Sequence, residues 1–164
     1  MAIVKVINNQ YYDYSTVQKV VSYVWDEAKV LNGLIASNLL YCDSVAGITE
    51  QMKDVAQELG MDKGRLIQHI VVSYDPFYEN WVSPEMAFSH LRLCLKVYCP
   101  HFQWLAVVHN DKEQFDMHIV INNVDLVTGK KFATDYETLC ELCFGFQCIS
   151  IGGRNVCFRP VYSS

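Results

Sequence analysis

Apolar positions along the chain either alternate with polar ones or recur at helical spacing, and the two periods divide it into elements. Residues 2–8 (Ala-Ile-Val-Lys-Val-Ile-Asn) are rich in β-branched side chains and close at Asn8-Asn9, which predicts a first strand. Val17, Val20, Val21 and Val24 recur every three or four residues, so a helix is predicted over 16–29, with Ser15 as N-cap and Asn32-Gly33 as its stop. Leu34 to Leu40 read as a short strand, and Ser44 to Leu59 as a second helix ended by Gly60. Arg65 to Tyr74 are a β-branched run between Gly64 and Asp75-Pro76, a further strand. Ser83-Pro84-Glu85 opens a third helix, with serine as cap and proline in the first turn, and this helix runs toward Tyr98.

Gln103 to His109 and Asp116 to Val124 read as two strands of a hairpin whose connection is polar (Asn110, Asp111, Lys112, Glu113). Thr128-Gly129-Lys130 is a turn, and a last helix around Tyr136 to Cys143 precedes a last strand around Asn155 to Val161. The order β-α-β-α-β-α-β-β-α-β gives an α+β domain, an antiparallel sheet with helices packed mainly on one face.

Composition supports one domain over residues 1–164, without a C-terminal accessory domain: 51% of the residues are hydrophobic and 19% charged, with no repeat or linker. No apolar run reaches the roughly eighteen residues of a membrane span, and the N-terminus lacks the layout of a signal peptide, so a cytoplasmic protein without a membrane partner is expected. Seven cysteines then read as thiols. Cys140, Cys143, Cys148 and Cys157 contain one C-x-x-C pair and raise zinc as an option, but their other spacings are irregular and buried thiols fit better. The formal net charge of −5 argues against gripping nucleic acid by bulk electrostatics and leaves only a local basic groove for that purpose.

Alternation decides which side chains can meet. Asp116, His118, Val120 and Asn122 share one strand face, His109 lies with Val107 and Leu105, and His69 lies with Val71 and Ser73. Pairing the last two long strands through a short hairpin brings His109 beside Asp116 and His118. A lone histidine is more often a core or surface residue than a ligand. Two imidazoles and a carboxylate on adjoining strands instead suit a divalent metal with open positions for substrate oxygens.

His109-Asn-Asp111, then a short gap, then Asp116-Met-His118-Ile-Val-Ile-Asn122 resembles the third motif of the relaxase/mobilisation-nuclease family, a branch of the HUH endonucleases. That motif is a His-x-Asp, a gap, then His-hydrophobic-His, three hydrophobics and Asn. Ser22-Tyr23-Val24 followed by Glu27-Ala28-Lys29 is similar to the first motif, whose tyrosine is the nucleophile, and His69-Ile-Val-Val-Ser73 resembles the second. The likeness spans roughly residues 2 to 135.

The resemblance implies nicking of single-stranded DNA at a transfer origin. Tyr23 would be the nucleophile, Asp111 its orienting partner or base, and Ser73 a group against the DNA or the active site. His109, Asp116 and His118 would hold Mn²⁺ or Mg²⁺. His69, Ser73, Asn122, Lys130 and Lys131 are the expected DNA contacts, with Lys19 and Lys29 as further phosphate contacts and Tyr12, Tyr74, Phe77, Tyr78 and Trp81 as candidates for base stacking. Accessory mobilisation proteins are the possible protein partners. The departure from the family pattern is Asp116, where the family has histidine; a carboxylate there shifts preference toward harder cations. From periodicity alone Tyr23 could simply pack within its helix. The competing functions are a degenerate or truncated domain that binds DNA or a partner without cutting, and a replication initiator of the same superfamily. Initiators generally carry their tyrosine after the histidine motif, and Tyr23 precedes it.

Overall fold

A computed structural model of the protein describes residues 2–7, 10–74, 82–110, 114–132, 150–151, 154–155 and 159–162. The chain runs β1 (Ala2–Ile7), α1 (Tyr14–Val24), β2 (Val30–Asn38), α2 (Val45–Glu58), β3 (Ile67–Tyr74), α3 (Pro84–Tyr98), β4 (Phe102–His109) and β5 (Asp116–Asp125), followed by the short strands β6 (Ser150–Ile151), β7 (Arg154–Asn155) and β8 (Arg159–Tyr162). Five strands lie side by side in the order β2-β4-β5-β3-β1, each antiparallel to its neighbour. β8 adds a sixth, parallel to β1, and β6 and β7 pair separately. The α+β class expected from the element order is the observed one. The helix read around Tyr136 to Cys143 and the four C-terminal cysteines lie outside the described residues.

The two sheet faces are covered separately. α1 and α2 share one, where Val17, Val21, Val24, Ile48 and Met52 pack on Ile67, Leu105, Val107 and Val120. α3 covers the opposite face, with Phe88, Leu91 and Leu95 against Val72, Ala106, Ile119 and Ile121. β4 and β5 lie in the middle and are buried on both sides, so their polar residues must be bonded or functional.

The predicted boundaries move in instructive ways. α1 starts two residues earlier than Ser15 implies, because the N-cap is Asp13: its carboxylate accepts the backbone N–H of Thr16 and the hydroxyls of Ser15 and Thr16. The helix ends at Val24 and leaves Glu27, Ala28 and Lys29 outside. There Asp26 folds a local turn, its side chain accepting the Ala28 N–H and its carbonyl those of Lys29 and Val30. Asn32-Gly33 does not stop a helix. Both residues have positive φ (48° and 69°) and sit inside β2, which spans Val30–Asn38 where only Leu34 to Leu40 were expected. Registration with β4 shifts between Val30 and Ile35, and this left-handed pair forms the irregularity.

Asn122 has a structural job. It is 2% exposed, and its amide donates to the Met52 carbonyl of α2 (3.0 Å) and to Gln103 Oε1 (2.8 Å), tying α2 to the sheet. Both donor hydrogens are committed inside the protein, which leaves neither for the expected DNA contact at Asn122. Asn122→Ala should lower stability by about 1–3 kcal/mol, because the buried Gln103 acceptor loses its donor. A urea titration should show a lower midpoint at unchanged slope, and an unchanged midpoint would contradict this role.

Candidate active site

The C-terminal end of α1 positions the centre. A helix leaves its last carbonyls without intrahelical donors. Here the Val24 carbonyl accepts from His109 Nε2 at 2.7 Å, across 85 residues of sequence. A carbonyl only accepts, so Nε2 carries the proton and the Nδ1 of a neutral His109 holds a lone pair. His109 is fully buried, and its Nδ1 has no hydrogen-bond partner among the described residues. A buried lone pair of this kind fits a metal or a proton donor.

The same helix end carries Tyr23. Its ring stands edge-on to those of His109 and His118, with centroids 5.6 and 5.5 Å away and interplanar angles of 76° and 82°. Tyr23 is 40% exposed, so its phenol is accessible. The turn built by Asp26 returns Lys29 over the ring, Nζ 4.3 Å from the centroid and 3.8 Å from Asp26 Oδ2. Packing alone does not describe Tyr23: Val17, Val21 and Val24 fill the buried face and Tyr23 stands beside it.

Sheet register supplies the remaining groups. Asp116 in β5 lies between Ser73 of β3 and His109 of β4, and His118 lies between Val71 and Val107. The His109 and His118 ring centroids are 4.3 Å apart. His69, one pleat further along β3, is 7% exposed; its Nε2 meets His118 Nδ1 at 3.2 Å, and its Nδ1 meets the Tyr11 hydroxyl at 3.3 Å. Three histidines thus cluster where two were expected. Burial first, and then the proximity of a second imidazole at His109 that disfavours a further positive charge, hold the His69 pKa down to about 4.

A cavity of about 710 Å³ opens beside these groups, lined by Lys5, Tyr11, Lys19, Tyr23, His69, Ser73, Asp116 and His118 among others. A second depression of about 540 Å³ shares Lys19 and Tyr23 with it and is lined also by Ser15, Ser22, Asp26 and Lys29. Lys5, Lys19 and Lys29 bring positive charge to this face of a chain of net charge −5, against the carboxylates of Asp116 and of Asp26, which pairs with Lys29 at 3.8 Å. Lys5 had not been singled out. It is the only charged residue of β1, and it lines up with Val71 in the register that sets Ile7 against His69.

Other expected residues lie elsewhere. Lys130 and Lys131 follow the far end of β5, about 30 Å along the strand from Asp116 at ~3.3 Å per residue. Lys131 donates to the carbonyls of Lys63 and Arg65, and Lys130 is exposed in the turn. Neither lines the cavity, so a DNA contact by either would lie away from this centre. Asp111, Phe77, Tyr78 and Trp81 lie outside the described residues, as does the side chain of Tyr74. Tyr12 is 57% exposed near the start of α1.

The donor set of His109, Asp116 and His118 has the chemistry of a divalent-metal site, and the buried Nδ1 lone pair of His109 fits it. Yet among the described residues no three His, Cys, Asp or Glu side chains are drawn together in metal-holding geometry. No helix among them is long and apolar enough to cross a membrane.

A family model for relaxases, described as the MobA/VirD2-like nuclease domain, matches residues 23–143. Two Staphylococcus aureus proteins named rlx are similar. One is 37% identical over 75 residues, which is 45% of this chain and 22% of that protein; the other is 35% identical over 77 residues, 46% and 23%. The aligned region thus covers under a quarter of either relative. Among solved structures, two Mn-bound crystal structures of the MobM relaxase domain with plasmid pMV158 oriT DNA have the same fold. Their TM-scores are 0.58 and 0.61 at 13% identity, over 94% of this chain and 89% of theirs.

The buried His69 gives the fold a pH dependence of known sign. Unfolded, its imidazole takes up a proton near 6.5; folded, it does so only near 4. Its contribution is complete above pH 6.5 and is lost as pH falls from 6.5 toward 4, because the unfolded state binds the extra proton. Urea midpoints of the metal-free protein should decline across that window, and less steeply in His69→Gln. Equal slopes in both proteins would refute the assignment.

Proposed function

The chain belongs to the relaxases, as a MobA/VirD2-like nuclease domain, and on that footing we propose that it nicks one strand of DNA at a transfer origin with Tyr23 as nucleophile. The observation that carries this reading is the placement of the accessible Tyr23 ring edge-on to both His109 and His118, at the mouth of the cavity that holds Ser73 and Asp116. Single-stranded DNA enters along the lysine-bearing face, its phosphates against Lys5, Lys19 and Lys29, and Ser73 offers a hydroxyl to the strand. The Tyr23 oxygen attacks the scissile phosphorus and forms a new O–P bond. The bond to the 3′ oxygen breaks, leaving a 3′-OH on one side and a 5′-phosphotyrosine on the other. One phosphodiester replaces another, so the exchange reverses when the 3′-OH attacks.

His109, Asp116 and His118 are the residues that would hold a divalent metal, Mn²⁺ or Mg²⁺, with Asp116 in the place of a family histidine. That ion supplies Lewis-acid polarisation of the phosphate oxygens. The His109 proton on Nε2, held by Val24, keeps the Nδ1 lone pair of His109 available for it. Asp111, in the loop that follows His109, is the candidate to orient or deprotonate the phenol. The setting we assign is the cytoplasm, on mobile DNA, with accessory mobilisation proteins as partners.

A second reading, a domain that binds DNA or a partner without cutting, is favoured by one observation: the absence of a preformed metal-holding triad among the described residues. The two separate experimentally. With Mn²⁺ and single-stranded oligonucleotides from the flanking DNA, the parent should give a covalent adduct on a denaturing gel, and Tyr23→Phe should abolish it while still binding. An adduct that survives Tyr23→Phe and disappears in Tyr12→Phe overturns the assignment.

Asp116 is tested by exchange. Asp116→Ala should lose metal and cleavage together, while Asp116→His should cleave at least as well as the parent and shift toward softer ions such as Zn²⁺. Parent-like metal binding and cleavage in Asp116→Ala would remove Asp116 from the ligand set.

A further inference from the structure

His118 is held from behind by a chain of two side chains, and we propose that Tyr11 and His69 are positioning residues that fix its ring and its proton. Tyr11 leaves the loop before α1, where its backbone carbonyl accepts the Leu66 N–H, and its side chain is 2% exposed. Its hydroxyl lies 3.3 Å from His69 Nδ1, and His69 Nε2 lies 3.2 Å from His118 Nδ1. All three rings are buried.

Two neutral rings facing each other through one nitrogen apiece can share only one proton, so the chain has a direction. In one order His118 donates from Nδ1 to His69 Nε2, and His69 donates from Nδ1 to the Tyr11 oxygen. His118 then bears its lone pair on Nε2. In the other order the Tyr11 hydroxyl donates inward, His69 donates from Nε2, and the His118 lone pair is consumed at Nδ1. The first order is the one that serves a His118 acting as ligand through Nε2, and in this respect the inference rests on the function proposed above. A hydrogen-bonded partner of this kind fixes the tautomer and orientation of a metal-binding imidazole. His69, expected from sequence as a DNA contact, acts here through His118.

Long-range proton–nitrogen NMR on the metal-free, uniformly ¹⁵N-labelled protein reads the tautomer directly. His118 should be protonated at Nδ1 in the parent. His69→Phe should shift it toward the Nε2-protonated form and weaken Mn²⁺ binding by about 10–100-fold. His69→Gln, which keeps an acceptor oxygen on the side chain, should restore most of both. Tyr11→Phe should give a smaller shift in the same direction, and it serves as the test if His69→Phe fails to fold. A parent His118 protonated at Nε2 overturns the proposal. So does a folded His69→Phe, or a Tyr11→Phe in its place, with tautomer and Mn²⁺ affinity unchanged. Failure of DNA cleavage with the tautomers as expected would count against the function of the site and leave the hydrogen-bond order standing.

Discussion

One hydrogen bond sets the rest of the centre, the 2.7 Å contact between the last-turn carbonyl of α1 and His109 of β4. It satisfies a helix end that would otherwise face a buried side chain, it pins the imidazole proton on Nε2, and it fixes the height of α1 above the sheet. Tyr23 precedes that carbonyl by one residue, so its distance to the two imidazoles follows from the same contact. Each consequence depends on α1 ending at Val24. A helix continued to Lys29 would spend the Val24 carbonyl on its own backbone and carry Lys29 away from the Tyr23 ring. The Asp26 turn is therefore part of the site, although Asp26 touches none of its reactive atoms.

The charge distribution resolves an apparent conflict. A chain of net charge −5 gains nothing from bulk attraction to a polyanion. Screening limits charges to about 8–10 Å of reach at physiological salt, so the residues that line the two depressions decide what can enter them. There the lysines at positions 5, 19 and 29 flank Tyr23 on separate elements. Under the proposed function, the chain's negative net charge disfavours binding elsewhere on the molecule and concentrates a bound strand along this face.

Much of the frame was legible in the sequence because its signals are local. The valine period, the serine and proline at the start of α3 and the β-branched runs each specify an element without reference to the rest of the chain. Strand alternation then put His69 and Ser73 on one face and Asp116 and His118 on one face, and the observed register aligns both faces toward α1. What was not legible depends on distant partners. Asn122 resembles a motif asparagine, but only the seating of α2 shows that its donors are consumed by Met52 and Gln103. The lysine pair at 130 and 131 is close in sequence to the histidine motif, yet β5 carries it to the opposite end of the sheet. Asn32-Gly33 has the composition of a stop, and its left-handed backbone serves equally well as a kink in an edge strand. Tyr11 could not be told from its neighbouring tyrosines until the loop before α1 was placed against β3.

In the proposed function, Asp116 is the residue on which electrostatics and catalysis meet. It is 5% exposed, on the face that also buries two imidazoles, and it occupies the sheet position between the hydroxyl of Ser73 and the ring of His109. A divalent ion held by two neutral imidazoles and one carboxylate presents one net positive charge to a phosphate, against two when all three ligands are imidazoles. The carboxylate binds hard cations well and reduces the pull on the anionic substrate in the same act. The lysines at the cavity mouth compensate for binding, because they attract the strand whatever the ligand set is. They compensate less for chemistry, which depends on charge at the reacting phosphorus. Under the proposed function, an aspartate here uncouples holding DNA from cutting it, leaving the first to the lysines at the rim and making the second depend on which ion the centre carries.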